Sequence, residues 1–371
     1  MRRDRRRIEP RPPYHFFLID TQPTGEPTHT TILMKGALVV TSISAPNPVL
    51  RALAEGSVKN GIPFYVIGDT KSPPAFELEG CQYLSVDEQR KLPYQYAALA
   101  PVKSYARKNI GYLMAMENGC DWICETDDDN FPRDGFWLPR EREMKGKSVI
   151  AKGWVNVYSH FADRFIYPRG FPLECLAASV AGELPAEQPS SGIAPIQQGL
   201  ADANPDVDAI YRLVHRLPLD FIEREPLFLD DGAWCPFNSQ NTTFFREVFP
   251  LMYLPAHCSF RMTDIWRSFV AQRLLWTCDW RLVFHSSTVW QERNEHDLLK
   301  DFADEIPGYL NNARICRTLD ELPLEHGLQH LLTNLRKCYE ALIGLGVVGA
   351  EEMPLLDAWI VDIKSLEGKK P

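Results

Sequence analysis

The residues best suited to chemistry are three consecutive aspartates, Asp127, Asp128 and Asp129, which follow an apolar segment at residues 122–124. Side chains alternate in an extended segment, so Asp127 and Asp129 are expected on one side and Asp128 on the other. Two carboxylates at a strand end suit Mg²⁺ or Mn²⁺, which proteins usually share with substrate phosphates. The alternative is a solvated acidic turn, because adjacent carboxylates without a cation are costly to bury.

The segments before the aspartates predict the elements that position them. Strands are predicted over residues 37–43, 63–67 and 122–124, with helices over 49–60 and 102–118 between them. Alternating strands and helices indicate an α/β fold with a mostly parallel central sheet.

The ends of these predicted strands are polar. Ser42 ends the first strand, Asp69 follows the second, and the aspartates follow the third. Ligands of parallel sheets bind outside the carboxyl ends of the strands, so these residues should cluster around a ligand. Neither G-x-G-x-x-G nor G-x-x-x-x-G-K-[ST] occurs, which argues against a dinucleotide fingerprint or a phosphate loop of that kind.

Composition excludes several classes of protein. The 371 residues carry a formal net charge of −9, so we expect no nucleic-acid partner. Residues 1–34 form a basic, Pro-rich arm, expected to be a disordered tail, with contact to an anionic membrane surface as the minority alternative. No apolar run approaches the roughly 20 residues of a membrane span. The nine scattered cysteines without a C-x-x-C pair indicate reduced thiols and a cytoplasmic protein.

The rest of the chain predicts one main domain over residues 35–318 and a small helical appendage over 319–371. Residues 153–250 are irregular and rich in Pro, Gly and aromatic side chains, which is typical of a binding surface or lid. Within them, residues 185–195 are predicted to be a mobile loop.

Short segments spread over about residues 37–310 carry a resemblance. They are residues 107–113, 126–130, 169–173, 199–200, 204–209, 238–245, 263–266 and 285–286. Together and in this order, they resemble the STELLO glycosyltransferase family. More distantly, the chain is similar to the reversibly glycosylated polypeptides, which are UDP-arabinopyranose mutases. The N-terminal arm and the residues after about 320 are expected to fall outside the match.

The resemblance implies a GT-A-like glycosyltransferase domain, a nucleotide-diphosphate sugar donor, most simply a UDP-sugar, and a divalent cation, Mn²⁺ or Mg²⁺. The residues expected to hold the metal are Asp127, Asp129 and His285. Those expected to bind substrate are Ser42, Asp69, Lys108, Asp128 and Asn241. For His285, Asp69 and Asn241 the alternative is an ordinary structural role at a strand end, in a turn or in a loop.

Two residues are the expected catalytic groups. Asp264 is the candidate base that deprotonates an acceptor hydroxyl. Its alternative role is to offset the dipole of the helix in whose first turn it lies. Arg169 corresponds to the arginine that carries the sugar in the mutases, and a loop salt bridge is its alternative.

Three functions stay open from the sequence. The first is metal-dependent transfer from a nucleotide sugar bound at Asp127–Asp129 to a glycan or small-molecule acceptor. The second is a nucleotide-sugar mutase or self-glycosylating protein that uses Arg169. The third is a non-catalytic scaffold that retains the glycosyltransferase fold. Homo-oligomerisation is left open by the sequence.

Overall fold

The computed structural model describes residues 34–177, 185–293 and 297–368, which form one compact unit. The basic arm predicted over residues 1–34 lies outside these residues, except for its last position. None of the helices in the described ranges is long and apolar enough to cross a membrane.

The centre of the unit is a large mixed sheet. Its strands, together with those of a separate two-stranded sheet, are in chain order β1 (Gly36–Thr41), β2 (Phe64–Ile67), β3 (Gln82–Leu84), β4 (Trp122–Thr126), β5 (Asn130–Pro132), β6 (Glu143–Val149), β7 (Gly153–Trp154), β8 (Glu187–Ile193), β9 (Ile196–Asp202), β10 (Leu227–Leu229), β11 (Ala233–Trp234), β12 (Asn241–Phe245) and β13 (Leu282–Gln291). The spatial order in the large sheet is β3-β2-β1-β4-β12-β9-β13-β10-β6-β8, with β5 paired to β13, while β7 and β11 form the small sheet.

Helices cover the sheet and extend beyond it. They are α1 (Pro48–Asn60), α2 (Val86–Gln89), α3 (Gln95–Leu99), α4 (Lys108–Glu117), α5 (Ala209–Val214), α6 (Thr263–Trp276), α7 (Leu298–Glu321), α8 (Leu331–Gly344) and α9 (Glu352–Glu367).

The strands with the predicted polar ends are neighbours. β1 lies between β2 and β4 and pairs with both in parallel, and β3 adds in parallel to β2. β12 joins this group to β9 through antiparallel pairs, and β13 then runs parallel to β9. The prediction of an α/β fold with a mostly parallel central sheet, as expected for a GT-A-like domain, is confirmed.

The first crossover helix, α1, has strong end signals. Asn47 accepts a hydrogen bond from the Leu50 amide, Pro48 occupies the first turn, and Gly61 ends the helix in the left-handed region at φ 64°. The second crossover helix starts later than predicted. Lys103 takes φ 57°, and a short 3₁₀ turn, Tyr105–Arg107, precedes α4. The segment before residue 108 is therefore irregular, and it lines the functional cleft instead.

Two predictions beyond the first half of the sheet are corrected. Residues 185–195 were predicted as a mobile loop, but β8 occupies most of them and pairs antiparallel with β6. Pro189 is tolerated there because β8 is the edge strand. β13 also continues well past His285, which was expected at a strand end, through a register shift between His285 and Val289.

The predicted C-terminal helices are present as α8 and α9, and they contact the rest of the unit closely. Trp359 donates a hydrogen bond to the Pro250 carbonyl, 3.1 Å away. Asp362 accepts from the amides of Gln95 and Tyr96 at the start of α3. These bonds fix α9 to the segment that leads into α4.

Candidate active-site cleft

A cleft with a cavity volume of about 660 Å³ opens at the carboxyl ends of β1, β2 and β4. Ser42, Asp69 and all three aspartates line it, so the expected clustering of the polar strand ends is observed. The strict alternation predicted for the three aspartate side chains is not observed. The backbone turns after Thr126, and the Asn130 amide donates to the Asp127 carbonyl over 3.3 Å. Each carboxylate therefore has its own set of partners.

The negative charge of Asp127 is balanced by the ammonium group of a buried lysine, Lys108. The Lys108 ammonium lies 3.2 Å from Asp127 Oδ1 and also donates to the Thr126 carbonyl at 2.8 Å. The Tyr105 hydroxyl donates to the same Oδ1 at 2.7 Å. Lys108 has no exposed side-chain surface, whereas 30% of the Asp127 side chain is exposed. The exposed part of the Asp127 side chain lines the cleft.

Asp128 faces the β1 side. Ser42 Oγ donates to its Oδ2, and Asn47 Nδ2 donates to its main-chain carbonyl at 2.8 Å. Burial raises the pKa of the Asp128 carboxyl, while the Ser42 hydrogen bond acts in the opposite direction. Asp128 and Ser42 together fix the turn against β1 and form one wall of the cleft.

Asp129 is the least satisfied of the three aspartates. Gln291 Nε2 donates to its Oδ2 at 3.1 Å, but Oδ1 is buried without a hydrogen-bond partner among the described residues. Burial, followed by repulsion from Asp127, raises the pKa of Asp129 to about 7. A buried carboxylate oxygen with no partner is costly, and a cation beside it would remove that cost. The donor set at this position fits a hard divalent cation.

Asp69 acts on the backbone. Its carboxylate accepts from the amides of Lys103 and Ser104 at 2.9 Å and 3.0 Å. These bonds hold the irregular segment that leads to Tyr105. Asp69 therefore shapes the cleft and positions the partner of Asp127.

Arg169 and Asp264, the two expected catalytic residues, are bonded to each other. Arg169 Nη2 lies 2.9 Å from Asp264 Oδ2, and Arg169 Nε lies 2.8 Å from Asp206 Oδ1. Arg169 Nη1 also donates to the Arg261 carbonyl. The guanidinium thus bridges two carboxylates and a carbonyl.

This bridge weighs against the role expected for Asp264. Burial alone raises the pKa of the carboxyl, but the ion pair with Arg169 outweighs it and lowers the pKa to about 2. The amide and hydroxyl of Ser239 also donate to Asp264 Oδ2. A carboxylate this acidic and this fully bonded is a weak base. Asp264 instead positions Arg169 and the 239 segment.

His285 and Asn241 do not join the aspartates. Both pack against Gly199, where a Cβ atom would lie 2.3 Å from Asn241 Nδ2 and 2.7 Å from His285 Cε1. His285 Nδ1 bonds to the Ser286 carbonyl, and Asn241 donates to the Leu200 carbonyl and to Thr288 Oγ1. Neither lines the cleft, so the expectation that His285 is a metal ligand and Asn241 a substrate contact is corrected.

Burial, and then the nearby Arg140, lowers the pKa of His285 to about 4, which keeps the imidazole neutral. In the described part of the chain, no three His, Cys, Asp or Glu side chains group into a metal site made by protein alone. Any cation in the cleft must therefore take further ligands from substrate or water.

Several cleft residues are missed by sequence reasoning. They include Tyr105, Arg212, Phe260, Arg261, Gln291, Arg293, Lys300 and Asp304. Tyr105 could have been found from its position three residues before Lys108 on a helical turn, since such residues share a face. The arginines come from three separate segments of the chain, and no local pattern marks them.

The fold and the site define an α/β protein with a carboxylate-bearing cleft at the ends of parallel strands. Sequence comparison shows which proteins the chain resembles. The family model of STELLO glycosyltransferases matches residues 261–371. The match includes the C-terminal helices, which corrects the expectation that residues after about 320 fall outside it.

Two proteins of Arabidopsis thaliana are similar over most of the chain. "Probable glycosyltransferase STELLO2" is 28% identical over 364 residues, which cover 90% of this chain and 45% of that protein. "Probable glycosyltransferase STELLO1" is 26% identical with the same coverage. The chain spans about half the length of these relatives. The predicted resemblance to the STELLO family is confirmed.

Among solved structures, a mycobacterial protein aligns with 76% of this chain and 75% of its own, at 11% identity and a TM-score of 0.36. A TM-score this low does not establish a shared fold.

Proposed function

We propose that this chain is a glycosyltransferase that binds a nucleotide-diphosphate sugar, with UDP-sugars as the first candidates, in the cleft at the ends of β1, β2 and β4. The observation that carries the proposal is Asp129 Oδ1, which is buried beside Asp127 and has no hydrogen-bond partner within the described ranges. The similarity to STELLO glycosyltransferases favours sugar transfer over other chemistry at an acidic cleft.

Asp127 and Asp129 would hold a divalent cation, Mn²⁺ or Mg²⁺. When bound, such a cation neutralises the diphosphate as the bond between sugar and phosphate breaks. Two carboxylates are enough, because Mg²⁺ and Mn²⁺ keep waters and share substrate phosphates. Lys108 and Tyr105 hold one oxygen of Asp127, which directs the other oxygen to the cleft.

The geometry of Arg169 weighs against the mutase alternative. Its Nε and Nη atoms donate to Asp206, Asp264 and the Arg261 carbonyl. A guanidinium that becomes glycosylated must present a nitrogen to the anomeric carbon. Here the two carboxylates fix it as a cation, so transfer to a separate acceptor is the better reading of the site.

The direct test is a screen for donor turnover. We expect UDP release from one or more UDP-sugars with Mn²⁺, loss of release with EDTA, and recovery when Mn²⁺ is restored. The same donor at a hundred times its Kd should stabilise the fold by about 2.7 kcal/mol in a thermal-shift measurement. A folded protein that neither binds nor turns over any UDP- or GDP-sugar would support the scaffold alternative.

Asp304 replaces Asp264 as the proposed base. It lines the cleft from α7, and its carboxylate has no ion pair or hydrogen bond within the described residues. A base of this kind takes the proton of the acceptor hydroxyl. The hydroxyl oxygen then bonds to the anomeric carbon of the donor as the bond to UDP breaks and UDP leaves. We expect Asp304→Asn to lower kcat for transfer about 10²- to 10⁴-fold with unchanged donor binding.

Asp264→Asn is the comparison variant for Asp304→Asn. It leaves Arg169 with one carboxylate fewer, so its main effect should be a lower melting temperature. Transfer kinetics, donor titration and melting curves on both variants separate the two roles. Full transfer by Asp304→Asn, together with loss of transfer by a stable Asp264→Asn protein, would return the base to Asp264.

A further inference from the structure

A cluster of arginines lines the wall of the cleft on the side of α5 and α7. Arg212 comes from α5, Arg261 from the 3₁₀ turn Phe260–Met262, and Arg293 from the segment after β13. Arg169 bonds to the main chain of Arg261 and thereby links this wall to Asp264. The donor site proposed above uses none of these three arginines.

The three arginines of this cluster differ in whether they form an ion pair with an acidic side chain. Arg261 lies 2.8 Å from the fully buried Glu305, and Arg293 lies 2.7 Å from Asp301. Arg212 forms no ion pair within the described residues: its Nη2 donates to the Pro205 carbonyl at 2.8 Å, and its Nε is buried without a hydrogen-bond partner. A buried guanidinium nitrogen without a hydrogen-bond partner is a costly arrangement, which a bound anion would relieve.

Asp206 and Glu305, the carboxylates whose charge acts on Arg212, already have partners. Asp206 lies close, but Arg169 occupies both of its oxygens. Burial, and then repulsion from Arg293, lowers the pKa of Arg212 to about 9. The pKa of Arg293 is also lowered, by burial and then by Arg261. The three arginines repel one another at a surface open to the cleft.

We propose that Arg212, Arg261 and Arg293 form an anion subsite that binds a phosphate or carboxylate group on the acceptor. The inference rests on the proposed glycosyltransferase function. Guanidinium groups match both anions through charge-assisted, bidentate hydrogen bonds. The subsite holds an acidic acceptor in the same cleft as the aspartates, with the hydroxyl that is to be glycosylated toward Asp304. Neutral glycans would lack this anchor.

Binding of inorganic phosphate tests the subsite without any transfer reaction. We expect phosphate to bind wild-type protein, and to bind it equally well when UDP and Mn²⁺ are saturating. Arg212→Gln should weaken phosphate binding about tenfold or more, with UDP affinity and melting temperature retained. Arg293→Gln should weaken phosphate binding similarly but at a lower melting temperature, because Asp301 loses its ion pair with Arg293. Arg317→Gln is the matched control, because Arg317 is an exposed arginine on α7 outside the cleft.

Competition identifies a false assignment. If UDP and Mn²⁺ displace phosphate, the arginines belong to the donor site and the acceptor subsite is overturned. Absence of phosphate binding in a protein that still turns over a UDP-sugar also overturns the subsite while the proposed function stands. Loss of UDP binding and turnover in the wild-type protein counts against the function itself.

Small acceptor analogues then distinguish the source of the anion. Glucose 6-phosphate and glucuronate carry the two candidate groups, and glucose is the neutral reference. Preference for glucose 6-phosphate, lost in Arg212→Gln, assigns a phosphorylated acceptor, and the same pattern with glucuronate assigns an acidic sugar. Equal binding of glucose 6-phosphate, glucuronate and glucose, unaffected by Arg212→Gln, would refute a site that selects anionic acceptors.

Discussion

Replacing Asp129 with asparagine should reduce sugar transfer about 10²- to 10³-fold in a protein that remains folded. Asparagine keeps the shape of the side chain but removes the negative charge. In the wild type, Asp129 Oδ1 is buried beside Asp127 without a partner among the described residues, so it is the oxygen best placed to hold a cation. The measurement is the rate of UDP release and sugar transfer at saturating Mn²⁺.

The same substitution should make the cation-free protein more stable at neutral and alkaline pH. The pKa of Asp129 is raised from 3.8 to about 7, so between these values the folded protein holds a proton that the unfolded chain has released. Stability from this group is therefore present at low pH and declines as pH rises toward 7. Asparagine does not ionise and avoids that decline.

Melting curves at several pH values measure this effect. The melting temperature of Asp129→Asn should exceed that of the wild type by a margin that grows from pH 5 to pH 8. Mn²⁺ with UDP should reverse the order, because only the wild type presents the carboxylate. Asp87→Asn serves as the control, since Asp87 is an exposed carboxylate outside the cleft. Transfer by Asp129→Asn within threefold of wild type would exclude Asp129 as a ligand.

The aspartate side of the cleft is readable from the sequence because it depends on local rules. Apolar β-branched runs predict β1 and β2, and their parallel pairing brings Ser42 and Asp69 to the edge where β4 ends. The geometry of the turn at Asp127 required the structure, since one main-chain hydrogen bond ends the alternation.

The side of the cleft that holds Arg169 and Asp264 could not be predicted from the sequence, because its contacts join segments that are far apart in the chain. Asp264 looks like a first-turn acid until Arg169, 95 residues away, is found bonded to it. His285 looks like a strand-end ligand only if β13 stops at Phe284, and the strand continues to Gln291. Gln291, rather than His285, consequently reaches Asp129.

Arg267→Met should destabilise the protein by about 3–5 kcal/mol, which is the range for breaking a buried ion pair. Arg267 Nη2 lies 2.6 Å from Glu125 Oε1, and both side chains are almost completely buried, at 1% and 0% exposure. Glu125 also accepts a hydrogen bond from the Tyr112 hydroxyl. The pair joins α6 and α4 to β4, one residue before the strand ends at Thr126.

The cost arises chiefly from the charge that is left behind. Burial lowers the pKa of Arg267, but Glu125 outweighs this and raises the pKa above its ordinary value, so the guanidinium stays charged. Methionine fills the space between the rings of Phe237 and Phe244, over which the guanidinium lies, but it leaves the Glu125 carboxylate uncompensated. A loss of about 3–5 kcal/mol is a large share of a typical folding free energy of about 5–15 kcal/mol.

Urea unfolding of a double-mutant cycle measures the pair. Glu125→Gln in the Arg267→Met background removes the stranded charge, so the double variant should recover part of the loss. Arg336→Met is the control, because Arg336 pairs with Asp357 at 2.9 Å on the surface with 44% of its side chain exposed, and exposed pairs contribute at most about 1 kcal/mol. Equal losses in Arg267→Met and Arg336→Met would contradict a structural role for the buried pair. A large loss of folding stability, with UDP binding lost only where the fold melts, is the expected result. It would show that the pair supports the aspartates through the stability of the fold around β4.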